Sequence, residues 1–330
     1  MRVIRSIIGT SDILRAIQEN YLGNYPDGLC QFEYHGVNDV YKYINGDQTR
    51  FFKLYARMDI GKDAILDEVK IVNNLRQLGL PVADAIEKTD GSYLVSVEAP
   101  EGMRYGVLYS EAAGHPCDNY NLDVDETIKI GRLLSVMHKN LDNLDEPVSR
   151  WRLDESLFID RSMAVLEVHS QYHNIDIPFL REVAEEVKRQ IEAKANTWMW
   201  GLCHGDVWGG NIHKDRDGRL MIYDFDFCGY GWRAYDVSMI LGAIGWGAGD
   251  DAEDKRRRLL ESFLKGYESR AHLSDSEIEA VYKVFVPFRR IFNMGYLYDS
   301  LLYVWGNRYR NVNIDNDLKL LKEYVRYYWG

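Results

Sequence analysis

Three oxygen-bearing side chains stand close together in the segment 198–240. An apolar run ends just before Asp206, and Asn211 follows five residues later. Asp217-Gly218, a pair typical of a hairpin turn, separates two strand-like runs, the second of which leads to Asp224. Such a hairpin would hold Asp224 in a fixed relation to Asp206 and Asn211. The sequence therefore predicts two carboxylates and one amide within a small volume.

Oxygen donors of this kind suit Mg²⁺, which keeps several waters and binds one or two carboxylates together with substrate phosphates. A carboxylate that the metal does not use can accept a proton from an attacking hydroxyl. We assign Asn211 and Asp224 to the metal and Asp206 to the hydroxyl. The set would then perform phosphoryl transfer, in which positioning and charge neutralisation supply most of the catalysis. The alternative is that all three are ordinary turn residues at the ends of apolar strands.

The motif H-G-D-x-x-x-x-N at 204–211, followed by I-Y-D-F-D at 222–226, resembles the catalytic signature of a known superfamily. This is the aminoglycoside phosphotransferase and choline kinase superfamily, whose members are small-molecule kinases with a protein-kinase-like fold. The resemblance implies that Asp206 is the catalytic base or orients the hydroxyl. It also implies that Asn211 and Asp224 are Mg²⁺ ligands.

Neighbouring residues refine this resemblance. Gly205 stands where eukaryotic protein kinases commonly have Arg, and Asp226 stands where they have Gly, so both departures favour the small-molecule branch. The later R-A-Y-D-V also resembles the family, which implies that Asp236 braces the catalytic loop through backbone hydrogen bonds. We expect His204 to anchor this loop, with a role as the base as the alternative.

A lysine on a strand and a glutamate on a helix form a second candidate pair. Lys53 lies in the β-prone run R-F-F-K-L-Y-A. On the helix predicted at 63–78, Glu68 falls within the apolar stripe of Ile65, Val69, Val72 and Leu75. A carboxylate in an apolar stripe is costly unless it is paired, and Lys53 is its natural partner. The pair mirrors the strand-Lys to helix-Glu pair of kinases; alternatively, Glu68 reaches water at the edge of the stripe.

Two further segments are predicted to contact the nucleotide, ATP or GTP. The turn Gly36, Val37 and Asn38 precedes Lys53 and could cover the phosphates with backbone N–H groups, although a plain hairpin turn is the alternative. The stretch V-L-Y-S-E-A-A-G-H-P resembles the linker between the two lobes of the family, whose backbone bonds the purine edge. The resemblance implies this contact for three residues, Tyr109, Ser110 and Glu111.

The secondary structure predicted around these residues changes once along the chain, from β-rich to mostly helical. A helical lead-in at 1–25 is followed by short β-prone runs and the helix 63–78, and strands are expected at 82–87, 92–98 and 105–111. Beyond Gly114 the pattern is mostly helical, with a β-like insert at 198–227. We therefore predict an α+β, bilobal, protein-kinase-like fold. Residues 1–110 form the nucleotide-binding lobe, and residues 111–330 form the catalytic and acceptor-binding lobe.

Composition narrows the class of protein. The 330 residues are 46% hydrophobic and 28% charged, as in a soluble globular protein with a sizeable core. A net charge of −11 makes the chain a poor candidate for binding nucleic acid. No run is long and apolar enough for a signal peptide or a membrane span. Four cysteines, none in a C-x-x-C pair, fit a reducing compartment. We expect a cytoplasmic location and no membrane partner.

The acceptor is predicted to be a small-molecule alcohol that binds beside Asp206. The region after residue 285 is unusually aromatic, with Phe288, Phe292, Tyr296, Tyr298, Tyr303, Trp305 and Tyr309. These rings either fill the core or line a pocket for a cationic or sugar-like alcohol, with Asp299 adding charge attraction. An acidic protein draws amines, which favours an amino-alcohol or an aminoglycoside, although many relatives phosphorylate other metabolites.

Two other functions are alternatives to that of a small-molecule kinase. A protein Ser/Thr kinase of the same architecture needs a long activation segment, but only 11 residues separate Asp224 from Asp236. A nucleotide-binding regulator without turnover is the second alternative. All the groups expected of an active kinase are present, so the sequence favours turnover.

Overall fold

The computed structural model describes residues 3, 5–21, 27–56, 61–118, 122–171, 174–242, 250–299 and 306–330. The chain divides into two compact units. The first unit contains residues 1–114 and two short later segments, 145–149 and 221–223. The second unit contains residues 115–144, 150–220 and 224–330.

The first unit is built on a five-stranded antiparallel sheet with the order β1-β2-β3-β5-β4. Its strands are β1 (Leu29–His35), β2 (Asp39–Asn45), β3 (Gln48–Leu54), β4 (Val95–Ala99) and β5 (Gly102–Ser110). The hairpin β2–β3 that the Asn-Gly signal predicts turns at Gly46 and Asp47, between the paired residues Asn45 and Gln48, and Gly46 adopts a left-handed φ of 55°.

Two helices complete the first unit, α1 (Thr10–Asn20) and α2 (Lys62–Gln77). The predicted lead-in helix is therefore confirmed over 10–20. α1 buries Ile13 and Ile17 in a core that also contains Phe52 of β3 and Leu108 of β5. The strand predicted at 82–87 is wrong, because this segment makes only isolated bridges at Val82 and Ala85. Two of its amides bond to carbonyls of β5 and of the segment 221–223, and two others bond to side-chain oxygens of Ser110 and Asn73.

The second unit is mainly helical, as predicted. Its helices are α3 (Val124–Leu141), α4 (Arg161–His169), α5 (Ile177–Lys194), α6 (Arg233–Leu241), α7 (Asp250–Tyr267), α8 (Asp275–Ala280), α9 (Val286–Asp299) and α10 (Gly306–Trp329). Short strands are β6 (His115–Pro116), β7 (Arg152–Leu153), β8 (Trp200–Cys203), β9 (Ile212–Lys214), β10 (Leu220–Ile222, which continues into the segment 221–223) and β11 (Gly229–Trp232). Among the described residues, no helix combines the length and apolar character needed to cross a bilayer.

Aromatic side chains form much of the core of the second unit. Phe288 and Phe292 of α9 are buried and lie against the ring of Phe158, with ring centroids 4.6 and 4.5 Å apart. Of the two interpretations of these aromatics, the core interpretation holds for Phe288 and Phe292. The side chains of residues 297–313 lie outside the described part of the chain, and these include Tyr298, Asp299, Tyr303, Trp305 and Tyr309.

All four cysteines are buried and none forms a disulfide. Burial raises the pKa of the Cys30 thiol to about 11 and also raises the pKa values of Cys117 and Cys203. These thiols therefore stay protonated near neutral pH and behave as small apolar side chains.

Helices α3 and α7 approach closely through two glycines. A Cβ atom on Gly131 of α3 would lie 2.2 Å from the carbonyl oxygen of Phe263. A Cβ atom on Gly266 of α7 would lie 2.0 Å from the carbonyl oxygen of Ile128. Because both obstacles are backbone atoms, no side-chain rotation can relieve them. This helix pair therefore requires a glycine at both positions.

We expect the substitution Gly131→Ala to destabilise the protein by about 1–3 kcal/mol, because the added methyl group forces the helices apart. The better helix propensity of alanine, worth about 1 kcal/mol, opposes this loss. Urea unfolding of the full chain, followed by circular dichroism, measures the change. Gly61→Ala is the matched control, since nothing lies within 4 Å of a Cβ atom at that position. Equal stability of the two variants would contradict the packing argument.

Candidate active site

The predicted catalytic loop follows β8 directly. Gly205 has a left-handed φ of 82°, and a Cβ atom there would lie 2.3 Å from the carbonyl oxygen of Phe227. Both the dihedral angle and the space therefore demand glycine. This explains why Gly205 stands in the motif where protein kinases commonly carry a large cationic side chain.

Asp236 of α6 holds the backbone of this loop through hydrogen bonds. Its carboxylate accepts hydrogen bonds from the backbone amides of His204, at 2.6 Å, and Gly205, at 2.8 Å. These are backbone contacts of the kind predicted for Asp236. It also accepts one from His138 Nε2 at 3.0 Å. Burial opposes its ionisation, but the hydrogen bonds hold the pKa of the Asp236 carboxyl below its usual value.

The two buried histidines support the loop. His138 donates from Nε2 to Asp236, so its Nδ1 is left to accept from the hydroxyl of Tyr267 at 2.7 Å. Burial, reinforced by the charge of Arg233, lowers the pKa of His138 to about 4. His204 Nδ1 accepts a hydrogen bond from the backbone amide of Asp206 at 3.3 Å. This contact is of the kind expected of a residue that anchors the loop.

Asp206 and Asn211 are in contact. The side-chain amide of Asn211 donates to the Asp206 carbonyl at 2.8 Å and lies 3.3 Å from Asp206 Oδ2. Burial raises the pKa of the Asp206 carboxyl; the Arg289 guanidinium opposes this shift, and the negative charge of Asp224 adds to it. Asn211 thus contacts Asp206 directly, and Asp224 lies near enough for its charge to act on the Asp206 carboxyl.

Asp224 lies just beyond β10 in an unusual backbone conformation. Its φ of 65° is the one positive φ of a non-glycine residue in the described part of the chain. Aspartate tolerates this conformation better than most residues, and such strain is concentrated at functional sites. The side chain is exposed. With the amide nitrogen of Asn211 engaged by Asp206, the donors left for a cation are oxygens, a set that fits Mg²⁺ or Ca²⁺.

An arginine that the sequence analysis did not single out completes this site. Arg289 of α9 forms an ion pair with Asp206, with Nη2 2.6 Å from Oδ1. It lies 83 residues from Asp206 in the sequence. The available signal was weak: Arg289 and Arg290 interrupt an otherwise apolar helical stretch.

The first unit contains the predicted ion pair, with Lys53 Nζ 3.1 Å from Glu68 Oε1. Both side chains are largely buried. The hydroxyl of Tyr109 donates to the same Glu68 oxygen at 3.3 Å and lies 2.9 Å from the hydroxyl of Tyr55. The Lys53 ammonium also lies over the rings of Tyr55 and Tyr109, 5.1 and 5.9 Å from their centroids. Lys53 is thus held by one carboxylate and two aromatic rings.

The turn at 36–38 is tied to the rest of the first unit. The Gly36 amide donates to the Asn38 carbonyl at 3.0 Å, and Arg5 donates to the Gly36 carbonyl at 2.8 Å. The Asn38 side chain accepts from the amide of Ala56 at 3.1 Å, so it serves the fold. Val37, between them, is half-buried.

The three predicted linker residues differ in what they already bind. The Tyr109 side chain belongs to the cluster around Lys53. The Ser110 amide donates to the Asp84 carbonyl at 2.9 Å, and its hydroxyl donates to the Asp84 carboxylate at 2.6 Å. Glu111 lies beyond the end of β5 and is exposed.

A cavity of about 230 Å³ opens within the second unit near the catalytic loop. Trp208 of the loop forms one wall, and its side chain packs where a Cβ atom on Gly210 would collide with the ring. The lining residues are Cys117, Asp118, Trp208, Ser238, Met239, Gly242, Val286, Arg289, Arg290 and Asn293.

Comparison with known proteins agrees with the sequence resemblance. The chain matches the sequence profile of the Phosphotransferase enzyme family over residues 34–274. Amicoumacin kinase of Bacillus subtilis is 22% identical over 301 residues, which cover 88% of this chain and 84% of that protein.

Two solved structures share the fold. The complex of amicoumacin kinase hAmiN with AMP-PNP, Ca²⁺ and Ami superposes with a TM-score of 0.74 at 19% identity, covering 96% of this chain and 94% of that one. A microcompartment-associated aminopropanol kinase gives a TM-score of 0.74 at 17% identity, covering 96% and 98%. The predicted α+β, protein-kinase-like fold is confirmed.

The buried His138 makes stability depend on pH in a defined window. Because its pKa is about 4 in the folded chain and about 6.5 when unfolded, only the unfolded state binds a proton between these values. Stability should therefore fall on acidification, with this group contributing a loss of about 2 kcal/mol between pH 7 and pH 5.

Urea unfolding at both pH values tests this expectation against the variant His138→Gln. Glutamine keeps a donor for Asp236 and an acceptor for Tyr267 but does not titrate, so the variant should lose less stability over the same interval. The same loss in both proteins would contradict the assignment.

Proposed function

The chain belongs to the phosphotransferase enzyme family, and we propose that it transfers the γ-phosphoryl group of ATP or GTP to a hydroxyl group of a small molecule. In this reaction the bond between the γ-phosphorus and its bridging oxygen breaks, and a bond from the acceptor oxygen to phosphorus forms. The hydroxyl proton passes to Asp206. The observation that supports this role most directly is the half-buried Asp206 carboxylate, held next to Asn211 on a loop that Asp236 fixes.

The remaining residues take roles that follow from their chemistry. Asn211 and Asp224 would hold Mg²⁺, which neutralises charge on the nucleotide phosphates when bound. Lys53 adds a second positive charge for the phosphates, and Glu68 keeps its ammonium in place. His204 and Asp236 hold the backbone of the loop that carries Asp206.

The nucleotide contacts are proposed for backbone groups of the first unit. The turn of Gly36, Val37 and Asn38 would cover the phosphates with its backbone. Since the Ser110 amide is bonded to Asp84, a purine edge would use the carbonyl side of Ser110 and the backbone of Glu111, beyond the buried Tyr109.

We assign the cavity beside Trp208 to the acceptor. Its lining combines the Trp208 ring and apolar side chains with the Asp118 carboxylate. The charges of Arg289 and Arg290, which also line it, are matched by Asp206 and Asp317, so an alcohol that also carries an amine can bind there. The relatives named above act on amicoumacin and aminopropanol, which agrees with an amine-bearing acceptor. The first test is a panel of aminopropanol, ethanolamine, choline and kanamycin with ATP or GTP and Mg²⁺, followed by phosphate transfer.

The variant Asp206→Asn should lower kcat by about 10²- to 10⁴-fold, because the amide cannot accept the hydroxyl proton. Its affinity for Mg·nucleotide should remain close to that of the wild type. Asp224→Asn should instead weaken the Mg²⁺-dependent part of nucleotide binding. Kinetics and calorimetric titration with a non-hydrolysable nucleotide separate the two effects.

Asp217→Asn serves as the control for both variants, since this exposed aspartate sits in the neighbouring hairpin turn and pairs only loosely with Arg219 at 3.6 Å. It should match the wild type. A kcat near that of the wild type in Asp206→Asn would refute the role of this carboxylate.

Removing the wall of the cavity should affect the acceptor alone. We expect Trp208→Ala to raise the acceptor KM by about tenfold, equivalent to about 1.4 kcal/mol, with the nucleotide KM unchanged. Trp200→Ala is the control, because Trp200 is also partly exposed but does not line the cavity. Steady-state kinetics with both substrates varied would reveal the difference; an unchanged acceptor KM in Trp208→Ala would place the acceptor elsewhere.

A further inference from the structure

Both terminal nitrogens of the Arg289 guanidinium bond to the catalytic loop. Nη2 donates to Asp206 Oδ1 at 2.6 Å, and Nη1 donates to the hydroxyl of Tyr235 at 2.8 Å and to the Gly205 carbonyl at 3.3 Å. The Tyr235 hydroxyl in turn donates to the same Gly205 carbonyl at 2.9 Å. One side chain from α9 thus contacts the reacting carboxylate, the preceding peptide and a phenol of α6.

The surroundings of Arg289 favour a single orientation. Its side chain is only 16% exposed, and its guanidinium carbon lies 5.1 Å from the centroid of the Phe292 ring. A planar guanidinium with two nitrogens already bonded has little freedom to rotate. A buried ion pair in general contributes little to folding stability. The role of this pair is therefore expected in the function of the site.

The carboxylate of Asp206 is consequently restrained at both oxygens. Arg289 bonds Oδ1, and the amide of Asn211 lies 3.3 Å from Oδ2. Without Arg289, rotation about the side-chain bonds would be limited only by the longer contact to Asn211. Reactions that depend on positioned groups lose about 10²-fold in rate when such a group is displaced by about 1 Å.

Arg289 also borders the cavity that we assign to the acceptor. The neighbouring Arg290 lines the same cavity but pairs with Asp317, at 2.7 Å, whereas Arg289 pairs with Asp206. The two arginines therefore share an environment and differ in their carboxylate partner. This makes Arg290 a matched control for Arg289.

We propose that Arg289 is a positioning residue for phosphoryl transfer, which holds the Asp206 carboxylate in the orientation that accepts the proton of the acceptor hydroxyl. This inference rests on the proposed function. It requires the fork of the guanidinium, because one nitrogen holds Asp206 while the other holds Gly205 and Tyr235. A lysine at this position supplies the charge without the fork.

The test compares wild type, Arg289→Ala, Arg289→Lys and Arg290→Ala, with the best acceptor of the aminopropanol, ethanolamine, choline and kanamycin panel. Arg289→Ala should lower kcat about 100-fold and leave the nucleotide KM within about twofold of wild type. Arg289→Lys should lower kcat about tenfold. Added guanidinium chloride at millimolar concentration should enter through the cavity and raise the kcat of Arg289→Ala at least tenfold, with no such gain for Arg290→Ala.

Three results would overturn the inference: a wild-type kcat in Arg289→Ala, a loss of activity in that folded variant that guanidinium does not relieve, or a wild-type kcat in Arg289→Lys. If circular dichroism shows that Arg289→Ala does not fold, the kcat of Arg289→Lys alone tests the inference. A wild-type enzyme that transfers phosphate to no member of the panel overturns the proposed function and this inference together. An active wild type with an unaffected Arg289→Lys overturns only the inference.

Discussion

One buried carboxylate, that of Asp236, sets the geometry on which the proposed chemistry of the second unit depends. It accepts the amide protons of His204 and Gly205, the two residues that precede Asp206. A peptide segment whose amides are already bonded to a buried charge cannot rotate without leaving that charge unsatisfied, which is costly. The position of Asp206 therefore follows from α6, the helix that carries Asp236. His138 completes the arrangement by donating a third hydrogen bond.

The two units hold the charged side chains of their proposed sites by the same means. In the first, Lys53 is paired with Glu68, and the hydroxyl of Tyr109 bonds the carboxylate. In the second, Asp206 is paired with Arg289, and the hydroxyl of Tyr235 bonds the guanidinium. In each case a phenol supplies a further hydrogen bond without adding a charge. A neutral partner of this kind fixes the supporting ion and leaves the net charge of the pair unaltered.

The sequence allowed the ion pair of the first unit to be predicted because Glu68 interrupts an apolar helical stripe, and such a residue needs a partner. The contacts around Asp206 followed from motif spacing. Arg289 could not be predicted in the same way, since helical periodicity tells which face of α9 is buried but not what that face meets 83 residues away. The strand prediction at 82–87 was wrong for a related reason. The composition of this segment favours a strand, whereas its hydrogen-bond partners come from two distant parts of the chain. The bond between Tyr109 and Glu68 likewise depends on how β5 packs against α2.

The burial of every native thiol has a practical meaning for spectroscopy. Maleimide and iodoacetamide reagents attack the thiolate, and Cys30, Cys117 and Cys203 are kept protonated by their surroundings while Cys228 is equally inaccessible. A single cysteine introduced on an exposed surface would thus be labelled in preference to the natural ones. Fluorophores or spin labels can be attached to each unit of an otherwise unaltered protein, and ligand-dependent distances between the units can then be measured directly.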